Sequence, residues 1–135
     1  MKISPNLKSI FYSCLVAVFA FLILFLIVTT LLIRSEVNKN CHAAISKYEG
    51  DCVEALIQML DNQENSFKQR NDSIWTLGQI GDSRALEILQ KHYTGIIPNR
   101  EKYDESLSQY EMKKALKLID GGINITHFIW KQKYF

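Results

Sequence analysis

A chain of 135 residues, 47% of them hydrophobic, has room for one domain plus appendages. Sixteen basic residues against fourteen acidic ones give a formal charge of +2, and the surplus is Lys2 and Lys8 near the N-terminus. The remainder is balanced, with no basic stripe to grip phosphates, so no nucleic-acid partner is expected.

Residues 1–9 form a short polar lead containing Pro5. From Ile10 to Ile33 there is no charged residue, and the run is dense in Phe, Leu, Ile and Val. As a helix it reaches roughly 36 Å, enough to cross a hydrocarbon core of about 30 Å. A signal peptide's apolar region is shorter, about 7–15 residues, and ends in small residues. This run ends Thr29, Thr30, Leu31, Leu32, Ile33. The reading is a transmembrane helix over residues 10–33, in contact with the lipid bilayer. Charge flanks it on both sides, Lys2 and Lys8 before, Arg34, Lys39 and Lys47 after. A short lead before a signal-anchor-like helix stays in the cytoplasm, which sends the C-terminal part to the extracytoplasmic side, the periplasm in a bacterium.

Residues 34–50 read as an amphipathic stalk helix, with Val37, Cys41, Ala44, Ile45 and Tyr48 on one face and Gly50 ending it. Residues 51–122 then read as a small helical domain. Asp51 and Glu54 form a capping box, followed by the face Val53, Leu56, Ile57 and Leu60. Asp61 to Ser66 is a polar connector. The next helix places Phe67, Ile74, Leu77 and Gly81 on one face, with Trp75 and Ile80 on its flank. Gly78 inside that helix costs about 1 kcal/mol relative to Ala, which points to close approach by a neighbouring helix. Gly81 suits a left-handed helix end, and Asp82 suits the N-cap of a further helix with the stripe Ala85, Leu86, Leu89 and Tyr93.

The run Arg70, Leu77-Gly78, Ile80-Gly81-Asp82 and Ala85-Leu86, with Trp75 between, resembles the HEAT-like repeat in the short form related to phycobilisome lyases. Ser83 stands where proline is common in that family. The resemblance implies paired helices stacked into a small array that serves as an interaction surface. Some relatives handle bilin chromophores, so it also leaves an alternative: an enzyme, or an accessory subunit of a lyase-like enzyme, acting at the membrane.

After Tyr93, Thr94-Gly95 and Ile97-Pro98-Asn99 mark turns, and a loop extends to about Ser106. Loops of this length in compact domains are often functional, making Ile97, Pro98 and Tyr103 candidate interaction residues; an ornamental insertion between repeats is the other reading. Ser108 and Glu111 suggest a second capping box. Met112, Ala115, Leu116 and Ile119 form the last face, and Gly121-Gly122 stop it. Ala55-Leu56 align with Ala85-Leu86, and Trp75 and Leu77 with Leu116 and Leu118, as expected for two degenerate helix pairs with stalk and tail as caps. The tail, residues 123–135, carries Phe128 and Trp130 among other aromatics. It packs over the last hydrophobic face, or presents a docking patch, or touches the bilayer interface.

Cys41 and Cys52 have two readings, a disulfide, which needs a domain outside the cytoplasm, or two buried thiols on apolar faces. With the turn at Gly50, a bond requires the stalk helix to end early or to cross its neighbour steeply. Cys14 sits within the apolar run. Cys41, His42 and Cys52 with a distant His92 match no standard zinc spacing, and no nucleophile sits in a recognisable elbow. Arg70 is expected to meet an acidic neighbour or a helix end. The expectation is an all-α chain, one transmembrane helix followed by a HEAT-like domain, without metal, cofactor or catalytic residues. Its role is a membrane-anchored interaction or scaffolding module for a protein partner.

Overall fold

The computed structural model describes residues 5–123, and every regular element among them is helical. The chain divides into two compact units, Met1–Ser35 and Glu36–Phe135. The aromatic tail beyond Ile123, with Phe128 and Trp130, lies outside the described residues.

The first unit is helical from Pro5, within what the sequence presents as a polar lead. The first helix, α1, runs Pro5–Ile45. Its apolar side chains are exposed all round, as at Phe11, Phe19, Leu24 and Leu32. Such a helix is long and apolar enough to cross a membrane. The Thr29 hydroxyl donates back to the carbonyls of Phe25 and Leu26, at 2.9 and 3.0 Å, and so carries no unmet donor.

The second unit begins with the last turns of α1, where Val37, Cys41 and Ala44 are buried. The helix stops at Ile45, five residues before Gly50. Ser46 ends it, its hydroxyl donating to the Ala43 carbonyl at 2.8 Å. Ile45 itself is nearly half exposed, so the buried part of the stalk stripe closes at Ala44. Gly50 has φ 110° and turns the chain into Asp51. There the expected capping box is complete, Glu54 N–H to Asp51 Oδ1 at 2.9 Å and Asp51 N–H to Glu54 Oε2 at 3.2 Å.

Helix α2, Cys52–Asp61, buries Val53, Ala55, Leu56, Met59 and Leu60. Helix α3, Phe67–Ile80, starts on a second capping box, Ser66 with Gln69, inside the segment that reads as a plain connector. Gly81, φ 73°, ends α3, and Asp82 caps a 3-10 turn, Ser83–Ala85, that leads into α4, Leu86–His92. Helix α5 is Gln109–Ile119. The core comprises α3 packed on α2 and on α5, with α4 laid against α5 and α2. Helix α2 is thus in contact with α3 and α4 with α5, while α3 also packs closely on α5.

Two positions depart from their helical spacing. Phe67 is 37% exposed, with the Arg70 guanidinium 5.9 Å from its ring centre. Ile80 is fully buried rather than flanking. At Gly78 two helices approach closely. A Cβ built there falls 2.8 Å from both Cα and Cβ of Ala115 on α5.

Replacing Gly78 with Ala adds about 1 kcal/mol of helix propensity but forces backbone of α5 away, an overpacking cost of about 1–3 kcal/mol. Gly78→Ala is therefore expected to lower the denaturation midpoint of the second unit. An equal or higher midpoint would show that α3 and α5 do not approach this closely.

Candidate functional site

The long connection from Tyr93 to Ser108 is held by three polar side chains, none of which the sequence singles out. Asn71, on α3, is fully buried. Its amide donates to the carbonyls of Tyr103 and Ser106 at 2.7 and 2.9 Å, and its Oδ1 accepts from the Ser108 N–H at 2.8 Å. Three of the amide's hydrogen-bonding directions are thus spent on one loop. Because Asn71 takes the Ser108 N–H, only half of the expected capping box forms: Ser108 Oγ accepts from Glu111 N–H at 3.1 Å. Glu101 fills the gap, accepting from the Ser108 hydroxyl and from Tyr110 N–H.

Gln109 clamps the loop's two ends. Its Oε1 accepts from Thr94 N–H at 2.8 Å and its amide donates to the His92 carbonyl at 3.3 Å. A loop with ends tied and base filled in this way has the character of an Ω-loop. Tyr103 belongs to the base: its carbonyl is held by Asn71, and its hydroxyl lies 3.4 Å from Asp72 Oδ1. Burial, with the charge of Asp72, raises the Tyr103 phenol above its ordinary range. The free part is the tip. Ile96 is 75% exposed, Ile97 37%, and Pro98 is exposed. Ile96, absent from the sequence-based candidates, is the more prominent side chain.

The repeat signature occupies structural positions. Arg70 is buried and its Nε donates to the Leu60 carbonyl at 2.8 Å, so it meets the end of α2. Leu77 and Ala85 are fully buried, Trp75 is half-buried, and Gly81 is left-handed. Asp82, 3% exposed, accepts from Arg84 N–H and is chelated by the Arg84 guanidinium, whose other arm reaches Asp51 at 2.7 Å. The hairpin turn is thereby tied to the cap of α2. Burial pulls the Asp51 carboxyl upward, but the Glu54 N–H and Arg84 outweigh it and hold the group below its ordinary range.

A second buried asparagine organises the connector after α2. Asn65 donates to the Tyr48 hydroxyl and to the Met59 carbonyl, at 2.7 and 2.8 Å, while Lys47 donates to its Oδ1. Tyr48 thereby holds the chain that returns from α1, and Cys41 and Cys52 are joined by a disulfide with a Cα separation of 5.1 Å. Both residues are 3% exposed. The early end of α1 at Ile45 supplies the approach that a turn at Gly50 denies. Closing a loop of this length stabilises the fold by about 3 kcal/mol in the chain-entropy account.

With Cys41 and Cys52 bonded, and His92 Nε2 3.1 Å from Asp61, the residues considered for a metal do not gather. No group of three His, Cys, Asp or Glu side chains suited to a metal occurs among the described residues. Asp104 and Glu105 are exposed, and Glu105 pairs with Lys102.

Residues 69–94, from the first turn of α3 to just past α4, match the family model described as PBS lyase HEAT-like repeat. This segment is a HEAT-like repeat, and every regular element among the described residues is helical. Neither a curated protein nor a solved structure matches the chain.

Asn71→Ala leaves a buried N–H and two carbonyls without their partner, at a cost of about 1–3 kcal/mol. Amide exchange is expected to accelerate across residues 102–108 while α2 keeps its protection. Unchanged exchange in the loop would mean that Asn71 does not hold it.

Proposed function

We propose that this chain is a single-pass membrane protein in which residues 10–33 anchor a HEAT-like domain on the extracytoplasmic side of the bilayer. The domain acts by binding a protein partner, without catalysis of its own. The observation that carries the reading is the loop 94–106: a base immobilised by Asn71, Glu101 and Gln109, and a tip that exposes Ile96, Ile97 and Pro98. A preformed apolar tip loses little entropy on binding, which is how a small surface reaches useful affinity. The polar side chains around it are engaged in holding backbone, which favours recognition over chemistry.

The anchor rests on the all-round apolar exposure of α1, a surface suited to lipid and unsuited to water. The side of the membrane rests on the Cys41–Cys52 bond, because disulfides persist in oxidising compartments. Tethering raises the effective concentration of the tip for other membrane-associated proteins.

The double variant Ile96→Ser/Ile97→Ser tests the reading. Recovery of a partner from detergent-solubilised membranes is expected to fall by about tenfold or more, the scale of a lost hot spot, with helicity and melting temperature unchanged. Undiminished recovery would remove the loop from the interface.

A further inference from the structure

We infer that the protein bound by the loop tip carries a carboxylate at the rim of an apolar hollow, and that Arg100 grips it. The inference rests on the partner reading above and adds the chemistry of the partner's surface. From Thr94 to Arg100 every residue is exposed, and Arg100 is the one charged residue of that stretch. The other charges of the connection are committed. Glu101 accepts from the Ser108 hydroxyl and Tyr110 N–H, Lys102 pairs with Glu105 at 2.7 Å, and the charge of Asp104 acts on the Lys68 ammonium. The Arg100 side chain makes no hydrogen bond, ion pair or ring contact among the described residues, whereas Arg70 and Arg84 are both engaged.

The tip is shaped before it binds. Ile96 N–H donates to Thr94 Oγ1 at 3.3 Å. Pro98 fixes its own φ and narrows Ile97 to extended conformations. Arg100 follows Ile97 by three residues, so at most about 11 Å of chain separates the apolar part from the cation. Ile96, Ile97 and Arg100 therefore meet one partner surface together.

Magnitudes select a carboxylate over a membrane surface. Attraction to an anionic bilayer is about 1 kcal/mol per basic residue, so recognition takes clusters of about 4–8. The tip offers one. A guanidinium presents two parallel N–H donors that match a carboxylate in both charge and geometry. Arginine is also enriched where interfaces concentrate their binding energy, beside apolar contacts that shed water. A single, unspent arginine next to two exposed isoleucines therefore fits one acidic side chain bordering an apolar hollow.

The test uses the full chain in its own membranes. Arg100→Lys keeps the charge and supplies a primary amine. A zero-length carbodiimide couples that amine to a touching carboxylate, forming an amide while the carbodiimide is hydrated to its urea. Mass spectrometry of the digest is expected to find position 100 joined to an Asp or Glu side chain of another protein. Adding Ile96→Ser/Ile97→Ser is expected to lower that yield about tenfold. An amine at position 100 that joins only to carboxylates of this chain's own sequence, to phosphatidylserine, or to nothing overturns the proposal. Charge reversal is the second readout: Arg100→Glu is expected to cut recovery of the same protein about tenfold. Recovery that falls with the isoleucines but ignores Arg100→Glu overturns this proposal and leaves the loop reading intact. Recovery that ignores the isoleucines overturns both.

Discussion

The close approach of α3 and α5 at Gly78 and Ala115 is the constraint on which the second unit depends. Only a missing side chain lets the two helices meet at this distance, and Ala115 presents the smallest side chain that still has a Cβ. With α5 drawn in, α3 is covered on both sides, and Ile74, Leu77 and Ile80 lose all contact with solvent. Asn71 lies seven residues before Gly78, two helical turns along the same side of α3. The contact that sets α5 against α3 therefore also aims a buried amide at the chain entering α5. Packing and loop anchoring are two consequences of one helix face.

The polar interior has a consistent logic. Each connection between helices is held by side-chain hydrogen bonds, some from its own residues and some from the helices beside it. Asn65 and Tyr48 hold the first connector, Arg84 holds the hairpin turn to the α2 cap, and Asn71, Glu101 and Gln109 hold the long loop. Buried groups of this kind cost free energy when left unpaired, so the loops are fixed to the helices and do not drift. A rigid base is what lets an exposed pair of isoleucines act as a defined feature.

Much of this architecture is readable from residues with unusual backbone requirements. Gly81 and Asp82 mark the hairpin, Asp51 with Glu54 marks the start of α2, and Gly78 announces a helix contact before any neighbour is known. The pattern fails where tertiary partners override local preference. The end of α1 at Ile45 is set by Ser46 and by Tyr48 reaching across to Asn62 and Asn65, contacts that no periodicity records. Asn71 is invisible because a single asparagine on a helix usually faces water; its one signal is that it shares the register of Ile74 and Gly78. Tyr103 reads as an exposed loop aromatic because the sequence gives no hint that its carbonyl and hydroxyl both point at α3. Ser108 loses half of its capping box to the same asparagine.

The proposed function joins a membrane-compatible helix, a HEAT-like repeat and an anchored loop, and its extracytoplasmic side rests on the Cys41–Cys52 disulfide. That bond is buried, so its state in cells reflects the compartment in which the chain folds. The most direct measurement is a thiol count in a Cys14→Ser chain expressed in its host. Cells are quenched in acid, free thiols are blocked in denaturant, and the protein is then reduced and tagged with a mass label. The account predicts a tag on both Cys41 and Cys52, meaning that the two were bonded in the cell. A chain that takes no tag would have carried free thiols, and that result would contradict an extracytoplasmic domain.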